Sequence, residues 1–355
     1  CSSDLGLEIP LAEELNAISE RAEVKSLGAW VIDPPPANST GGLGVAGPMS
    51  VAFAINLHSR IASRCLLQMT HVAYRKEDDI YKAVRSLSWE DWFTPEQTMR
   101  VDLTAHRSPL TSLNFVTLRI KDAVCDRLRE VKGARPSIDT ELPDVRVQAH
   151  LTATHATVYL DTSGQSLFKR GWRDDKGAAP LKENLAAGIL ALTGWKPEQP
   201  LFDPMCGSGT FLIEAAYRGL GIPSGSIRAG LLNAKPAEET TPAVQEKSES
   251  GKFTRYRPTR VDLVGADQGF GFQRLKPFNT SELQKQWNDL CGVAKKDIET
   301  GLANANKLKM AACDINENMI AIVKSNWKRA GLPAQSGDRK STRLNSSHGY
   351  ISYAV

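Results

Sequence analysis

The sequence of 355 residues predicts an α/β protein made of two domains. Three observations predict this class. Strand and helix patterns are mixed in the first half, a strand, a glycine turn and a helix follow at 201–219, and a second strand and helix come at 308–332. Strand, helix, strand, helix is typical of a doubly wound parallel sheet, which binds ligands at the carboxyl ends of its strands. We therefore expect a small α+β domain followed by an α/β domain with a ligand site.

The composition is that of an ordinary globular protein, with 41% hydrophobic and 24% charged residues. No run approaches the roughly 18 apolar residues of a membrane span, and the N-terminus lacks the pattern of a signal peptide. The six cysteines are far apart and form no CxxC pair. We therefore expect a cytoplasmic protein without a membrane segment or a bound metal. The formal charge of +4 permits a nucleic-acid partner but does not require one.

The first domain is predicted to span 6–165. After a loop rich in proline and glycine at 34–48, the spacing predicts a helix over 50–69, with Arg60 and Arg64 on one face. Further along, it predicts a strand over 99–106, an amphipathic helix over 114–131 and a hairpin over 144–163. Strands and helices mixed in this way indicate an α+β domain.

The second domain is predicted to span 166–338. It opens with a basic connector and a helix, and the strand, glycine turn and helix follow. Within an insertion at 222–305, the polar residues 222–262 have no periodicity and are expected to form a mobile surface segment. The next residues are mainly helical, and a strand over 308–314 and a helix complete the pattern.

Both ends of the chain are expected to be non-native. CSSDL at 1–5 and RKSTRLNSSHGYISYAV at 339–355 do not continue the neighbouring patterns, and the second resembles translated sequencing-adaptor text. We therefore expect that the native gene was cut near residue 338 and that the α/β domain is incomplete.

The stretch LFDPMCGSGTFLIEAA at 201–216 predicts a cofactor loop. Its glycines allow close approach to amides at the start of a helix. A phosphate loop would need Gly-Lys-Ser/Thr, whereas Gly209 is followed by Thr210, and a dinucleotide fingerprint would need glycine where Leu212 stands. S-adenosylmethionine is the third candidate. Asp203 would favour its cationic end, and the amides of the turn would suit its close approach.

A second carboxylate closes the strand LKMAACD at 308–314. Asp314 would lie at the end of the neighbouring strand, where it could accept hydrogen bonds from both ribose hydroxyls of the cofactor. The alternative is that Asp314 caps the helix that follows.

A resemblance becomes specific at this point. DPMCGSGTFLIEAA, together with FKRGWRDDKGAAPLKENLAAGIL just before it, resembles the THUMP-containing guanine-N2 methyltransferases of bacterial 23S ribosomal RNA. The resemblance runs from about 45 to 337 and includes VTLRIKDAVCDRL, PDVRVQAHL with LDTSG, and FGF…WNDL. It implies an RNA-binding THUMP-type domain before an incomplete class I, Rossmann-like methyltransferase domain. The implied cofactor is S-adenosylmethionine, and the implied partner is large-subunit ribosomal RNA.

The resemblance also implies which residues bind the cofactor. Asn184, with Lys182 and Glu183, would lie on the helix beside the methionine end, and Asp314 would hold the ribose. The first loop of the site would consist of Asp203, Met205, Cys206, Gly207, Ser208 and Gly209.

No catalytic residue is predicted. Related amino-methyltransferases position the amine with an Asn/Asp/Ser-Pro-Pro-aromatic turn. This chain contains only Asp33-Pro34-Pro35-Pro36, which lacks the aromatic residue and precedes the cofactor loop. We therefore expect the motif to lie beyond the truncation and this chain to be inactive alone. Two alternatives are a methyltransferase acting on transfer RNA or another nucleic-acid amine, and a non-catalytic RNA-binding module.

The basic connector is the predicted RNA contact. Lys169, Arg170, Arg173 and Lys176 surround Trp172, which would pair phosphate contacts with a stacking surface. The alternative is a solvated linker.

Overall fold

The computed structural model describes residues 1–34, 41–173, 180–233, 269–333 and 351–354. These residues form two units. The first contains Cys1–Phe168, Pro223–Gly225 and Gly269–Lys295, and the second contains the described residues of 169–222, 226–268 and 296–355. The prediction of a mobile surface segment over 222–262 is wrong for its first part, because residues 222–228 are buried, and residues 234–262 lie outside the described residues. Among the described helices, none has the length and apolar character needed to cross a membrane.

The first unit opens with helices α1 (Glu8–Ser19) and α2 (Ala22–Lys25), the antiparallel strands β1 (Val31–Ile32) and β2 (Val45–Ala46), and helix α3 (Val51–His58). The helix predicted over 50–69 is therefore wrong beyond residue 58, and Leu66–Ala73 is a strand, β3.

The carboxylate of Glu14 explains where α3 ends. It accepts hydrogen bonds from the Ser59 hydroxyl at 2.6 Å and from the backbone N–H groups of Arg60 and Ile61 at 2.8 and 3.2 Å. Ser59 has extended backbone angles, φ −68° and ψ 125°. These amides bond to a distant side chain instead of to carbonyls one helical turn back, so the helix cannot continue.

A four-stranded sheet follows, with the order β3, β6, β5, β4. Its other strands are β4 (Met99–Ala105), β5 (Val145–Leu151) and β6 (His155–Asp161). Strands β4 and β5 are parallel, whereas the β5–β6 hairpin and the β3–β6 pair are antiparallel. Helices α4 (Glu77–Arg85) and α5 (Leu113–Lys132) belong to the same unit, and α5 buries Val116, Ile120 and Val124. The strand predicted over 99–106, the helix over 114–131 and the hairpin are confirmed.

An aromatic cluster ties residues 269–295 to the first unit. Here 3-10 helices over Gly271–Arg274 and Lys276–Asn279 precede helix α8 (Ser281–Ala303). The Phe53 ring lies 4.8 Å from that of Phe272 and 5.6 Å from that of Trp287. The division differs from the predicted one, which gave 222–305 to the second domain.

The second unit contains α6 (Glu183–Leu192), β7 (Leu201–Asp203), α7 (Thr210–Gly219), β8 (Met310–Asp314) and α9 (Glu317–Arg329). Strands β7 and β8 are parallel, with Leu201 opposite Met310. The predicted strand–helix–strand–helix pattern is confirmed. Strand β9 (Ile351–Ala354), in the tail that we expect to be non-native, pairs antiparallel with β8.

The core of the second unit fixes the ends of β7 and β8. Leu212, Ile213 and Tyr217 of α7 are fully buried. They share one apolar cluster with residues of β8 and α9, including Val323. The Tyr217 hydroxyl donates to the Ala330 carbonyl at 2.8 Å, so this buried polar group is satisfied. Helices packed in this way hold the two strand ends in a defined arrangement.

Candidate cofactor site

The carboxyl ends of β7 and β8 meet at the glycine turn. The Gly207 amide donates to Oδ2 of Asp314 at 2.9 Å, and the Cys206 amide donates to the Cys313 carbonyl at 3.1 Å. Gly207 and Asp314, which are 107 positions apart in the chain, therefore meet. We call the glycine turn and the adjoining ends of β7 and β8 the corner. The structure thus brings together the turn and the second carboxylate that the sequence singled out.

The turn needs glycine for two reasons. Gly207 and Gly209 have φ values of +50° and +83°, which lie in the left-handed region. A Cβ atom on Gly209 would also lie 3.0 Å from Cγ1 of Val323, whereas one on Gly207 would meet nothing within 4 Å. The backbone at Gly209 can therefore approach α9 only without a side chain.

Free amides remain where the turn becomes a helix. The Gly209 amide closes the turn on the Cys206 carbonyl at 2.8 Å. In the part of the chain that the structure describes, the amides of Ser208, Thr210 and Phe211 have no hydrogen-bond acceptor. The first amides of a helix carry a partial positive charge, so this corner can bind a carboxylate or another anionic group.

Asp314 is not the helix cap. The N-cap of α9 is Asn316, whose side chain accepts a hydrogen bond from the Asn318 amide at 3.0 Å. Asp314 accepts from the Gly207 amide through Oδ2 and from the Asn316 amide at 2.9 Å through Oδ1. The capping alternative is therefore wrong, and Asp314 is held in place at the strand end by two amides.

Two carboxylates make the corner electronegative. Burial raises the pKa of Asp203, and the nearby charge of Asp314 raises it further, whereas the hydrogen bond from the Met205 amide opposes this. Burial and the same two carboxylates raise the pKa of the Cys206 thiol to about 12. The thiol is therefore protonated near neutral pH and is not a thiolate nucleophile. The two carboxylates favour a cationic ligand group beside them, whereas the free amides favour an anionic one.

Side chains of the predicted loop differ in accessibility. Met205 is 83% exposed, and Ile315, directly after Asp314, is 73% exposed. The side chain of Cys206 is buried in the apolar core, so it is not accessible to a ligand at the turn. Asn184 is completely buried in the first turn of α6.

An open apolar groove also runs along β7. Its volume is about 690 Å³, and its lining includes Ile189, Trp195, Phe202 and Phe211. Asp203 lies in the same lining. The groove is therefore continuous with one of the two carboxylates of the corner.

The predicted RNA contacts in the connector are wrong for three residues. Trp172 is fully buried, and Arg170 is 1% exposed. The guanidinium of Arg170 bonds to the carboxylate of Glu214 at 3.1 and 3.3 Å. The guanidinium of Arg173 forms a largely buried salt bridge with the carboxylate of Glu183. These side chains form part of the packing of the second unit, so the solvated-linker alternative is wrong for them as well.

The structure does not contradict the predicted RNA contact of the other two cations of the connector. Lys169 is exposed, and its contact with RNA stays a prediction. Lys176 lies outside the described residues. Within the described part of the chain, no group of three or more His, Cys, Asp or Glu side chains could hold a metal ion.

The sheet and the corner define a class of protein. A parallel pair of strands, with a glycine turn that leads from the first strand into a helix, is typical of a Rossmann-like fold. A family model described as an RMKL-like methyltransferase domain matches residues 170–345, and a THUMP domain model matches residues 74–161. The chain therefore combines a THUMP domain, which is an RNA-binding module, with an RMKL-like methyltransferase domain. The predicted class of cofactor, S-adenosylmethionine, agrees with this family.

Relatives at 38–43% identity are longer than this chain. The ribosomal RNA large subunit methyltransferase K/L of Colwellia psychrerythraea is 39% identical over 312 residues, 87% of this chain and 37% of that protein. The protein of the same name from Syntrophotalea carbinolica is 43% identical over 215 residues, 59% of this chain and 28% of that protein. The Synechocystis sp. protein slr0064 is 38% identical over 220 residues, 62% of this chain and 56% of that protein.

Solved structures share the fold at lower identity. A protein of Listeria monocytogenes described as a predicted N6-adenine-specific DNA methylase has a TM-score of 0.67 and 24% identity. The protein SMU.472, solved in complex with SAH, has a TM-score of 0.66 and 22% identity. Each match covers 93% of this chain and 71% of the other. The predicted fold, a THUMP domain before a class I methyltransferase domain, is confirmed.

Proposed function

We propose that this chain carries the cofactor-binding and RNA-binding parts of an enzyme that methylates N2 of a guanine in 23S ribosomal RNA. The observation that carries the proposal is the hydrogen bond from the Gly207 amide to Asp314, which joins the glycine turn to a second carboxylate. The names of the Colwellia and Syntrophotalea relatives support ribosomal RNA as the substrate.

The corner suits the parts of S-adenosylmethionine, which supplies a methyl group on a cationic sulfur. In this proposal Asp314 accepts hydrogen bonds from the ribose hydroxyls, and the lone pairs that its two amide donors leave available support this role. Asp203 attracts the ammonium group, and the amides of Ser208, Thr210 and Phe211 suit the carboxylate. The exposed side chains of Met205 and Ile315 offer apolar surface to the adenine ring.

Transfer of the methyl group needs residues that we do not find in this chain. The only Asp-Pro-Pro segment begins at Asp33, whose amide donates to the Gly44 carbonyl at 2.9 Å in the hairpin of the first unit. Pro35 and Pro36 lie outside the described residues. We therefore propose that this chain binds the cofactor and, by itself, transfers no methyl group.

Calorimetric titration with S-adenosylhomocysteine tests the site. We expect the unsubstituted chain to bind and Asp314→Ala to weaken the affinity about 10-fold or more, because hydrogen bonds to a charged acceptor contribute about 1.5–3 kcal/mol. Asp289→Ala, at an exposed position of α8, is the matched control and should bind normally. Unchanged affinity in a folded Asp314→Ala variant would remove Asp314 from the site.

A further inference from the structure

The guanidinium of Arg173 lies at the centre of a hydrogen-bond network behind the glycine turn. Nη1 donates to the Ser208 hydroxyl at 2.8 Å, and Nη2 donates to the Thr210 hydroxyl at 2.8 Å and to the Leu181 carbonyl at 3.0 Å. Nε donates to Oε1 of Glu183 at 2.9 Å. One side chain thus links the connector, the start of α6 and the start of α7.

The charge of Arg173 is neutralised inside the unit. Its side chain is 11% exposed and that of Glu183 is 6% exposed. Burial raises the pKa of Glu183, and the nearby guanidinium counteracts this shift. The guanidinium also lies 4.9 Å from the centre of the Trp172 ring. Arg173 is therefore committed to internal partners and does not offer its charge to a phosphate.

The two hydroxyls that Arg173 holds belong to Ser208 and Thr210, two of the three residues whose amides are free. Ser208 precedes Gly209, and Thr210 is the first residue of α7. The Ser208 carbonyl is held separately by the side-chain amide of Asn326, at 3.0 Å. Asn326 therefore holds the backbone of the turn, whereas Arg173 holds the side chains of Ser208 and Thr210.

We propose that Arg173 is a positioning residue for the cofactor. By holding Ser208 and Thr210 it keeps the amides of the turn aimed at the carboxylate of the bound methionine moiety, although it touches neither the cofactor nor a reacting atom. The inference rests on the proposed cofactor site. It assigns a cofactor-related role to a residue that the sequence alone suggested for RNA.

Lysine cannot replace arginine in this role. The planar guanidinium directs several N–H groups at fixed angles, and here they reach two hydroxyls, a carbonyl and a carboxylate. A lysine ammonium is a compact group with three donors on a flexible stem, so it could keep the charge beside Glu183 but not the fixed angles to both hydroxyls.

The test compares Arg173→Lys with Arg170→Lys. Both substitutions keep a positive charge and remove a buried guanidinium, but Arg170 bonds to Glu214 in the middle of α7. Calorimetry with S-adenosylhomocysteine and thermal unfolding are measured on the full chain. We expect Arg173→Lys to weaken binding about 10-fold or more, and Arg170→Lys to lower the melting temperature with affinity changed less than about 2-fold. Equal losses of affinity in both variants would overturn the positioning role.

A double-substitution cycle provides the second measurement. Ser208→Ala combined with Thr210→Val removes the same two contacts from the other side, and it replaces Arg173→Lys if that variant does not fold. If Arg173 acts through these hydroxyls, adding Arg173→Lys to this pair should cost little further affinity. If adding Arg173→Lys to the pair weakens the affinity by the same factor as Arg173→Lys does alone, the inference is contradicted.

The outcomes separate the two proposals. Absence of binding by the unsubstituted chain would overturn the cofactor site and, with it, the role of Arg173. Binding that survives Arg173→Lys unchanged would overturn the positioning role alone.

Discussion

Burial decides what the charged residues of this chain do. Lys169 is exposed, whereas Arg170, the next residue, is 1% exposed and paired with Glu214. The two cations look equivalent in the sequence, yet only Lys169 is exposed, and its contact with a phosphate stays a prediction. The same contrast applies to Trp172, which is part of the core and has no surface on which a base could stack.

His58 makes stability depend on pH. It lies buried at the end of α3, and burial, followed by the positive charges of Arg21 and Arg60, lowers its pKa from 6.5 to about 3. The folded state therefore favours the neutral ring, and the contribution of His58 is complete above pH 6.5 and is lost as the pH falls toward 3. The expected slope is about 1.4 kcal/mol per pH unit at most.

Denaturant unfolding at pH 7, 6 and 5 measures this effect. We expect His58→Gln to flatten the pH dependence of the free energy of unfolding, whereas His106→Gln, at an exposed position, should leave it unchanged. The comparison between variants is needed because Glu14 has a raised pKa and contributes the opposite slope, with stability lost as the pH rises. Parallel curves for His58→Gln and the unsubstituted chain would contradict the prediction.

At the scale of elements, carboxylates that bond to distant parts of the chain set where helices end and how they attach. Glu14 of α1 ends α3 by accepting from the amides of Arg60 and Ile61. Glu214 of α7 holds the connector through Arg170. Neither effect follows from helix propensity, because in each case the partner lies more than 40 residues away in the chain.

The Arg170–Glu214 pair should be costly to break. Both side chains are at most 1% exposed, so Glu214→Ala leaves a buried guanidinium without its counter-charge, and we expect a loss of about 3–5 kcal/mol in the free energy of unfolding. Lys82→Ala, which breaks the exposed pair with Asp78, should cost far less than Glu214→Ala, because water screens an exposed pair. Urea denaturation compares the two, and losses of similar size would show that burial does not set the strength of these pairs.

At the scale of the whole chain, distant segments share one unit. Residues 269–295 follow the glycine turn in sequence, but Phe270, Phe272 and Trp287 pack with Phe53 of the first unit. The spacing of the sequence predicted the helices of this segment correctly. It could not show that their aromatic faces complete the core that begins with α1 and α3.

The THUMP domain leads to a prediction for RNA binding by the whole chain. We expect tighter binding to fragments of 23S ribosomal RNA than to transfer RNA, with an affinity that falls as salt increases.

If Lys169 contacts a phosphate, Lys169→Gln should reduce the slope of log K against log salt by roughly 0.7–0.9. Lys285→Gln, at an exposed position of α8, is the control. Fluorescence anisotropy measures both quantities, and equal affinity for transfer RNA would contradict the proposed substrate.

The sequence by itself determined the strands, the helices and the corner of the methyltransferase domain. Alternation, helical spacing and the glycine turn act between near neighbours, and Asp203 and Asp314 end strands that the parallel pattern places side by side. Only the tertiary structure decided that Arg170, Trp172 and Arg173 lie inside the second unit. Their environment depends on Glu214 and Glu183, which reach them only after the chain has folded, and a buried cation is stable only where such a partner is supplied.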